Sequence, residues 1–191
     1  MTDGRVLFRE FLRSPTRTAT LTASSDALVA AMIAPLPLDG DPVVVELGAG
    51  TGRVTDALQR RLAGRGRQIA VELNPVLADR LAARHPGVTV ISGDAGQLPD
   101  LLAGHGVERV DGVASLLPWA AHAAAPVSAL AAGVLAPGGV FTQASLLGLH
   151  LFPPAQRLVR DMRSAFAEVT VVGPVWGNLP PARVLVGRTN H

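Results

Sequence analysis

The sequence predicts an α/β fold: a mostly parallel sheet with helices on both faces, preceded by an N-terminal helical arm. Two observations carry this. Strand and helix signals alternate along the chain, the signature of parallel strands joined by crossover helices. The first strand signal is followed at once by a glycine-rich turn and then by a helical pattern, the arrangement that opens a doubly wound sheet.

The elements follow in order. Val43-Val44-Val45-Glu46-Leu47 is a short apolar β-branched run, and a helical pattern fills residues 54–62 after the turn. Residues 68–73 form the second strand, and Asn74 then caps a helix that Pro75 starts, the favoured order at a helix N-terminus. Residues 88–91, 110–115 and 139–145 form strands three to five, with helices near 97–103 and 127–135 between them. A last helix at 155–166 precedes two closing strands, at 169–172 and 184–186. With no repeat or linker in 191 residues, the chain reads as one domain: an arm or lid over 1–38 and a core over 39–191.

Composition narrows the chemistry. Hydrophobic residues at 48% and charged ones at 17% exclude general disorder. Without cysteine there is no disulfide framework, thiolate nucleophile or Cys-based zinc site, and a cytoplasmic setting is expected. All 17 basic residues are arginine, set against 15 acids, for a net charge of +2. That surplus falls on Arg5, Arg9, Arg13 and Arg17, so residues 26–191 are balanced and lack the basic face that nucleic-acid binding needs. The start of the chain alternates arginine with apolar residues and so does not read as a secretory signal. Prolines break the uncharged stretch from Gly112 to Gln156 into pieces shorter than a bilayer crossing.

Glu46-Leu47-Gly48-Ala49-Gly50-Thr51-Gly52 places three alternating glycines where backbone can approach a ligand beside free helix N–H groups. A dinucleotide fingerprint needs glycine where Arg53 stands, and a phosphate-cradling loop needs a lysine the chain does not have. The Glu-x-Gly-x-Gly-x-Gly pattern instead resembles motif I of the class I S-adenosylmethionine-dependent methyltransferases. Glu72-Leu73 at the end of the second strand, Gly93-Asp94-Ala95 after the third and Ala136-Pro137-Gly138-Gly139 before the fifth are similar to that family's further elements. The resemblance implies a Rossmann-like, seven-stranded methyltransferase fold. It also implies S-adenosylmethionine as cofactor, with S-adenosylhomocysteine as product. The cofactor would be bound through Glu46, Gly48, Ala49, Gly50, Gly52, Glu72, Leu73, Asp94, Ala95 and Ser115. In this reading Glu72 takes the ribose hydroxyls and Asp94 the adenine amino group.

A closer resemblance runs nearly end to end, to the bacterial phospholipid N-methyltransferases that act on phosphatidylethanolamine. Phe11-Leu12-Arg13-Ser14-Pro15, Ser115-Leu116-Leu117-Pro118 and Trp176-Gly177-Asn178-Leu179-Pro180-Pro181-Ala182-Arg183-Val184 carry it, the last most specifically. It implies a phospholipid or small amphiphilic amine as acceptor. Gln143-Ala144-Ser145-Leu146 departs from that family's Gln-Phe-Thr-Tyr, and Trp119 is the aromatic that offers a face to a cationic amine. A small-molecule methyltransferase, an rRNA adenine dimethyltransferase and a cofactor-binding protein without catalysis are the alternatives. Ser115 stands where the rRNA enzymes have asparagine.

The arginines at 5, 9, 13 and 17 recur every four residues, one stripe on a helix. With Phe8, Phe11 and Leu12 beside it, this predicts peripheral contact with the inner membrane face, or a lid over the cofactor. No metal site is expected. A primary amine must lose a proton before methylation, and His122 and His150, just past the fourth and fifth strands, are the candidate catalytic base or orienter.

Overall fold

The computed structural model describes residues 24–148 and 153–190. The arginine stripe at 5–17 and His150 lie outside the described residues. Seven strands form one sheet in the order β3-β2-β1-β4-β5-β7-β6. These are β1 (Val43–Leu47), β2 (Arg67–Glu72), β3 (Thr89–Ser92), β4 (Val110–Ser115), β5 (Leu135–Leu146), β6 (Glu168–Val175) and β7 (Ala182–Arg188). β1 to β5 are mutually parallel, and β7 inserts antiparallel between β5 and β6. The sequence-predicted architecture is the one observed.

Helices α1 (Asp26–Ile33) and α2 (Arg53–Leu62) cover one face of the sheet. Their Leu28, Met32, Val54 and Leu58 pack with Val44, Ala114, Val140 and Val184 from the strands. On the same side α3 (Pro75–Arg84) sets Leu81 against Ala49 and Ala70. The other face carries α4 (Leu98–Ala103), α5 (Trp119–Ala124), α6 (Val127–Val134) and α7 (Pro153–Ala165). Leu98, Leu102, Ala131, Leu158 and Met162 from this layer meet Val45, Leu47, Val113 and Phe141. Phe141 stacks on Phe166 with ring centroids 5.5 Å apart. Burial on both faces explains why β1 reads as a nearly continuous apolar run.

Two local features differ from the sequence expectation, and a third settles how a helix is used. β5 begins at Leu135, so Ala136-Pro137-Gly138 is an irregularity within the strand rather than a turn ahead of it. Its register moves from Val110↔Leu135 to Gly112↔Val140, and Gly138 N–H leaves the ladder to donate to Asn190 O at 2.8 Å. Trp119–Ala124 is a helix that the sequence reading did not assign, because six residues are too short for a periodic signal. The uncharged α6 turns Val127, Ser128, Ala131 and Val134 inward, which uses its apolar side in the core.

The β1–α2 junction holds the first glycine turn. Glu46 is fully buried on β1, and its Oε2 accepts a hydrogen bond of 2.5 Å from Thr55 Oγ1, fastening α2 to the strand. Its Oε1 has no partner among the described residues. Burial pushes the carboxyl from an ordinary 4.5 up to about 8, partly offset by the bonds from Thr55. Gly52 caps α2 at φ +85, and a Cβ there would come within 2.5 Å of Leu81 Cδ1 and would also strike Arg84 Nη2.

Two outcomes follow. The native state holds the Glu46 proton between 4.5 and about 8, where an unfolded carboxyl releases it, so Glu46 makes stability fall as pH rises through that window. The span is worth on the order of several kcal/mol. Glu46→Gln should flatten the decline in Tm across it, and parallel Tm profiles for both proteins would refute the protonated reading. Gly52→Ala places a side chain in the left-handed region against α3 and should cost about 2 kcal/mol in urea unfolding.

Candidate functional site

The parallel strands β1 to β4 end at Leu47, Glu72, Ser92 and Ser115, so the loops after them meet at one edge of the sheet. In open α/β sheets this carboxyl edge is where ligands bind. Gly48 and Gly50 both have positive φ, +75 and +55, and Gly48 N–H is tied to Val71 O at 2.9 Å. Among the described residues a Cβ on Gly50 would meet only Gly48 O, at 3.9 Å, so its backbone is bare on that side. Ala49 turns inward onto Ala70 and Leu81.

Glu72 organises this edge. Its Oε2 accepts from Gly50 N–H at 2.8 Å and its Oε1 from Asn74 N–H at 2.9 Å, while its backbone carbonyl accepts from Gly93 N–H at 3.0 Å. A carboxylate offers about four acceptor positions, so each oxygen keeps one for an incoming hydroxyl. A ligand carrying two neighbouring hydroxyls fits that arrangement. Leu73, half-buried, follows it. Asp94 Oδ1 accepts from Gly96 N–H at 2.8 Å and caps the 3₁₀ turn Ala95–Gln97, which leaves its exposed Oδ2 able to receive an exocyclic amine. Ala95 is buried beside it. Glu46 lies beneath the loop, occupied by Thr55 through one oxygen, and the space around Gly52 is taken up by α3.

The loop after β4 closes the other side. Leu116 N–H donates to Leu47 O at 3.0 Å, and the buried Ser115 Oγ accepts from Leu117 N–H at 3.3 Å. Leu117 Cδ2 lies 3.0 Å from where a Gly48 Cβ would be, so the β4 loop and the glycine loop touch. Gln143 on β5 holds Leu117 from behind: its Nε2 donates to Leu117 O at 2.9 Å and to Ala144 O at 2.8 Å. Both amide protons are thereby used, so Gln143 Oε1 is an acceptor, and His122 Nε2, 2.8 Å away, must be the protonated ring nitrogen. The basic lone pair of His122 is therefore on Nδ1. Burial lowers the imidazole pKa from 6.5, opposed by the Gln143 bond and by Asp161. His122 also lines a cavity of about 210 Å³ with Ser128, Asp161 and Ser164, between α5, α6 and α7. Trp119 is partly exposed at the start of α5, next to Pro118.

Most sequence-predicted residues thus gather at one edge, joined through Glu72 and Leu117. Sequence reasoning missed Thr55 and treated Gln143 only as part of a family departure. A glutamine inside an apolar strand, buried on both faces, was the available signal for the latter.

The wider similarities agree with this geometry. A family model described as a methyltransferase domain matches residues 44–139. The chain is 33% identical over 189 residues to the ornithine lipid N-methyltransferase of Singulisphaera acidiphila, covering 95% of this chain and 94% of that one. In fold it is similar to Aeropyrum pernix fibrillarin in complex with S-adenosyl-L-methionine, with TM-score 0.67 and 20% identity over 83% of this chain and 73% of that one. It is also similar to Burkholderia thailandensis 1,6-didemethyltoxoflavin-N1-methyltransferase with bound S-adenosylhomocysteine, with TM-score 0.66 and 21% identity over 98% and 87%. A cradle of open glycine backbone and a carboxylate with two free acceptor positions, on a chain matched almost throughout by a methyltransferase, place it in a family: it belongs to the class I S-adenosylmethionine-dependent methyltransferases, related to the lipid N-methyltransferases.

Proposed function

We propose that the enzyme methylates the amine of a polar membrane lipid of phosphatidylethanolamine or ornithine-lipid type. The correspondence with a lipid N-methyltransferase along 95% of the chain carries this reading, because it extends past the cofactor half into β6 and β7. S-adenosylmethionine supplies a methyl group activated on a positively charged sulfur.

The chain's own residues bind and orient. Glu72 accepts the two ribose hydroxyls with its remaining lone pairs, already aimed by Gly50 and Asn74. Asp94 and Ala95 would hold the adenine edge, and Leu73 would offer it an apolar side chain. Gly48 and Gly50 would frame the amino-acid end, with Glu46, Ala49, Gly52 and Ser115 supporting that loop from within. Holding sulfur and amine in line lowers the barrier through proximity, with little covalent work for the protein. His122 serves as an orienter: its Nε2 proton is given to Gln143, which in turn fixes Leu117 against the glycine loop. The amine attacks in its neutral form, so turnover rises with pH toward the amine's own pKa.

Glu72→Ala removes two charge-assisted contacts and should weaken S-adenosylhomocysteine binding by roughly 10- to 100-fold in calorimetry, against a far smaller loss for Asp79→Ala on the exposed side of α3. His122→Ala should lower kcat about tenfold without moving the pH profile, and His122→Ala with Gln143→Leu should be no worse than either alone. Loss of the acid limb in His122→Ala would make His122 the base instead. Labelled S-adenosylmethionine incubated with vesicles of phosphatidylethanolamine or of ornithine lipid should send label into the organic phase. Label that stays in water with both lipids would sink the lipid reading and favour a small soluble amine.

A further inference from the structure

The segment between β6 and β7 is built inside out. Asn178, its polar residue, is only 1% exposed: Oδ1 accepts from Ser25 N–H at 2.9 Å and Nδ2 donates to Pro180 O at 2.7 Å. Its large apolar residues face water instead, Trp176 at 73% exposed and Leu179 at 83%. The loop is not loosely attached. Gly177 lies against Ala27 of α1, where a Cβ would approach to 3.3 Å, and Leu147 N–H donates to Pro181 O at 2.8 Å. Hydrogen bonds spent on turning the amide inward hold the indole and the isobutyl group outward. Exposed apolar side chains on an anchored loop mark a contact surface.

Its place in the fold says which contact. Ala182 pairs with Leu146 at the far end of β5, and Val175 pairs with Ala182, so residues 176–181 project from the carboxyl edge of the sheet, the edge that carries Glu72, Asp94 and Leu117. Trp119 lies exposed on the same edge. No charged residue occurs from Val169 to Ala182, and the first one after that run is Arg183. Arg183 sits at the foot of the loop, opposite Ser145, and among the described residues it has no acidic partner and its buried Nε makes no hydrogen bond. Partial burial of the guanidinium lowers its pKa.

We propose that Trp176 and Leu179 insert into the head-group region of a lipid bilayer while Arg183 receives an anionic lipid oxygen, docking the carboxyl edge onto the membrane. This deepens the lipid-acceptor reading and rests on it for its purpose, but not for its test. An indole belongs at that depth, where its ring is in the apolar layer and its N–H meets water, and a guanidinium pairs with phosphate or carboxylate oxygens through two parallel bonds. A bilayer answers both parts of the surface at once, the uncharged tip and the unpaired cation behind it.

The experiment uses the full chain with Trp119→Phe, so that only Trp176 emits. Mixed phosphatidylcholine and phosphatidylglycerol vesicles should shift its emission to the blue and quench it when the lipids carry bromine near the head group. Trp176→Ser with Leu179→Ser should reduce the vesicle-bound fraction at least fivefold in flotation, with S-adenosylhomocysteine affinity unchanged. Arg183→Gln should flatten the rise of binding with phosphatidylglycerol content, and Arg183→Lys should restore part of it. Emission indifferent to vesicles, or equal flotation of the double variant, overturns the proposal. A sedimentation coefficient that falls in the double variant also overturns it, since the loop would then join two copies of the chain. Vesicle binding through the loop without methyl transfer to any lipid upholds docking and removes the acceptor reading.

Discussion

Everything at the functional edge depends on the Glu72 carboxylate being held by backbone. It receives Gly50 N–H from the glycine loop and Asn74 N–H from the cap of α3, and its own main chain receives Gly93 N–H from the β3 loop. Three loops from three strands are thus registered on one residue. The arrangement leaves the carboxylate with defined orientation and spare acceptor capacity, which a free surface glutamate lacks. It also explains why the loop needs glycine at position 50: φ of +55 turns that N–H onto Glu72 while leaving the outer side bare.

Glu46 and Glu72 show how one residue type is given two jobs by environment. Glu72 sits at a strand end, where N–H donors satisfy it and solvent is near. Glu46 sits one residue inside the end of β1, under α2, where Thr55 is its hydrogen-bond donor among the described residues and burial keeps it protonated into the neutral range. The first suits it for receiving hydroxyls. The second makes it a clasp between strand and helix in which burial favours the protonated form and the Thr55 bonds oppose it.

The sheet, its parallel core and the order of the site elements were legible from residues 43–145, because strands buried on both faces write themselves as apolar runs and glycine turns punctuate them. Asn74-Pro75 was readable as a helix start for the same reason: capping is local chemistry, and Asn74 Oδ1 does accept from Val76 and Leu77 N–H. What was not legible is long-range. Thr55 reads as an ordinary helix residue until Glu46 is placed beside it, and nothing in Gln143 announces that Leu117 and His122 will meet it. The start of β5 was misplaced because Pro137-Gly138-Gly139 looks like a turn, yet β4 pairs with Leu135 before it and with Val140 after it, which keeps the strand running.

Two buried amides then divide the acceptor side between them. Gln143 spends both protons on main-chain carbonyls and its oxygen on His122, so it fixes the β4 loop from within the sheet. Asn178 spends its amide on Ser25 and Pro180, so it fixes the β6–β7 loop from outside. A buried amide left half satisfied costs about 1–3 kcal/mol, which is why each locks its loop into one arrangement rather than several. The two loops flank the same edge, one touching the glycine turn through Leu117 and the other ending on Arg183. Each loop is therefore held in place at the carboxyl edge by hydrogen bonds from a single buried amide, with no titrating group needed to fix it.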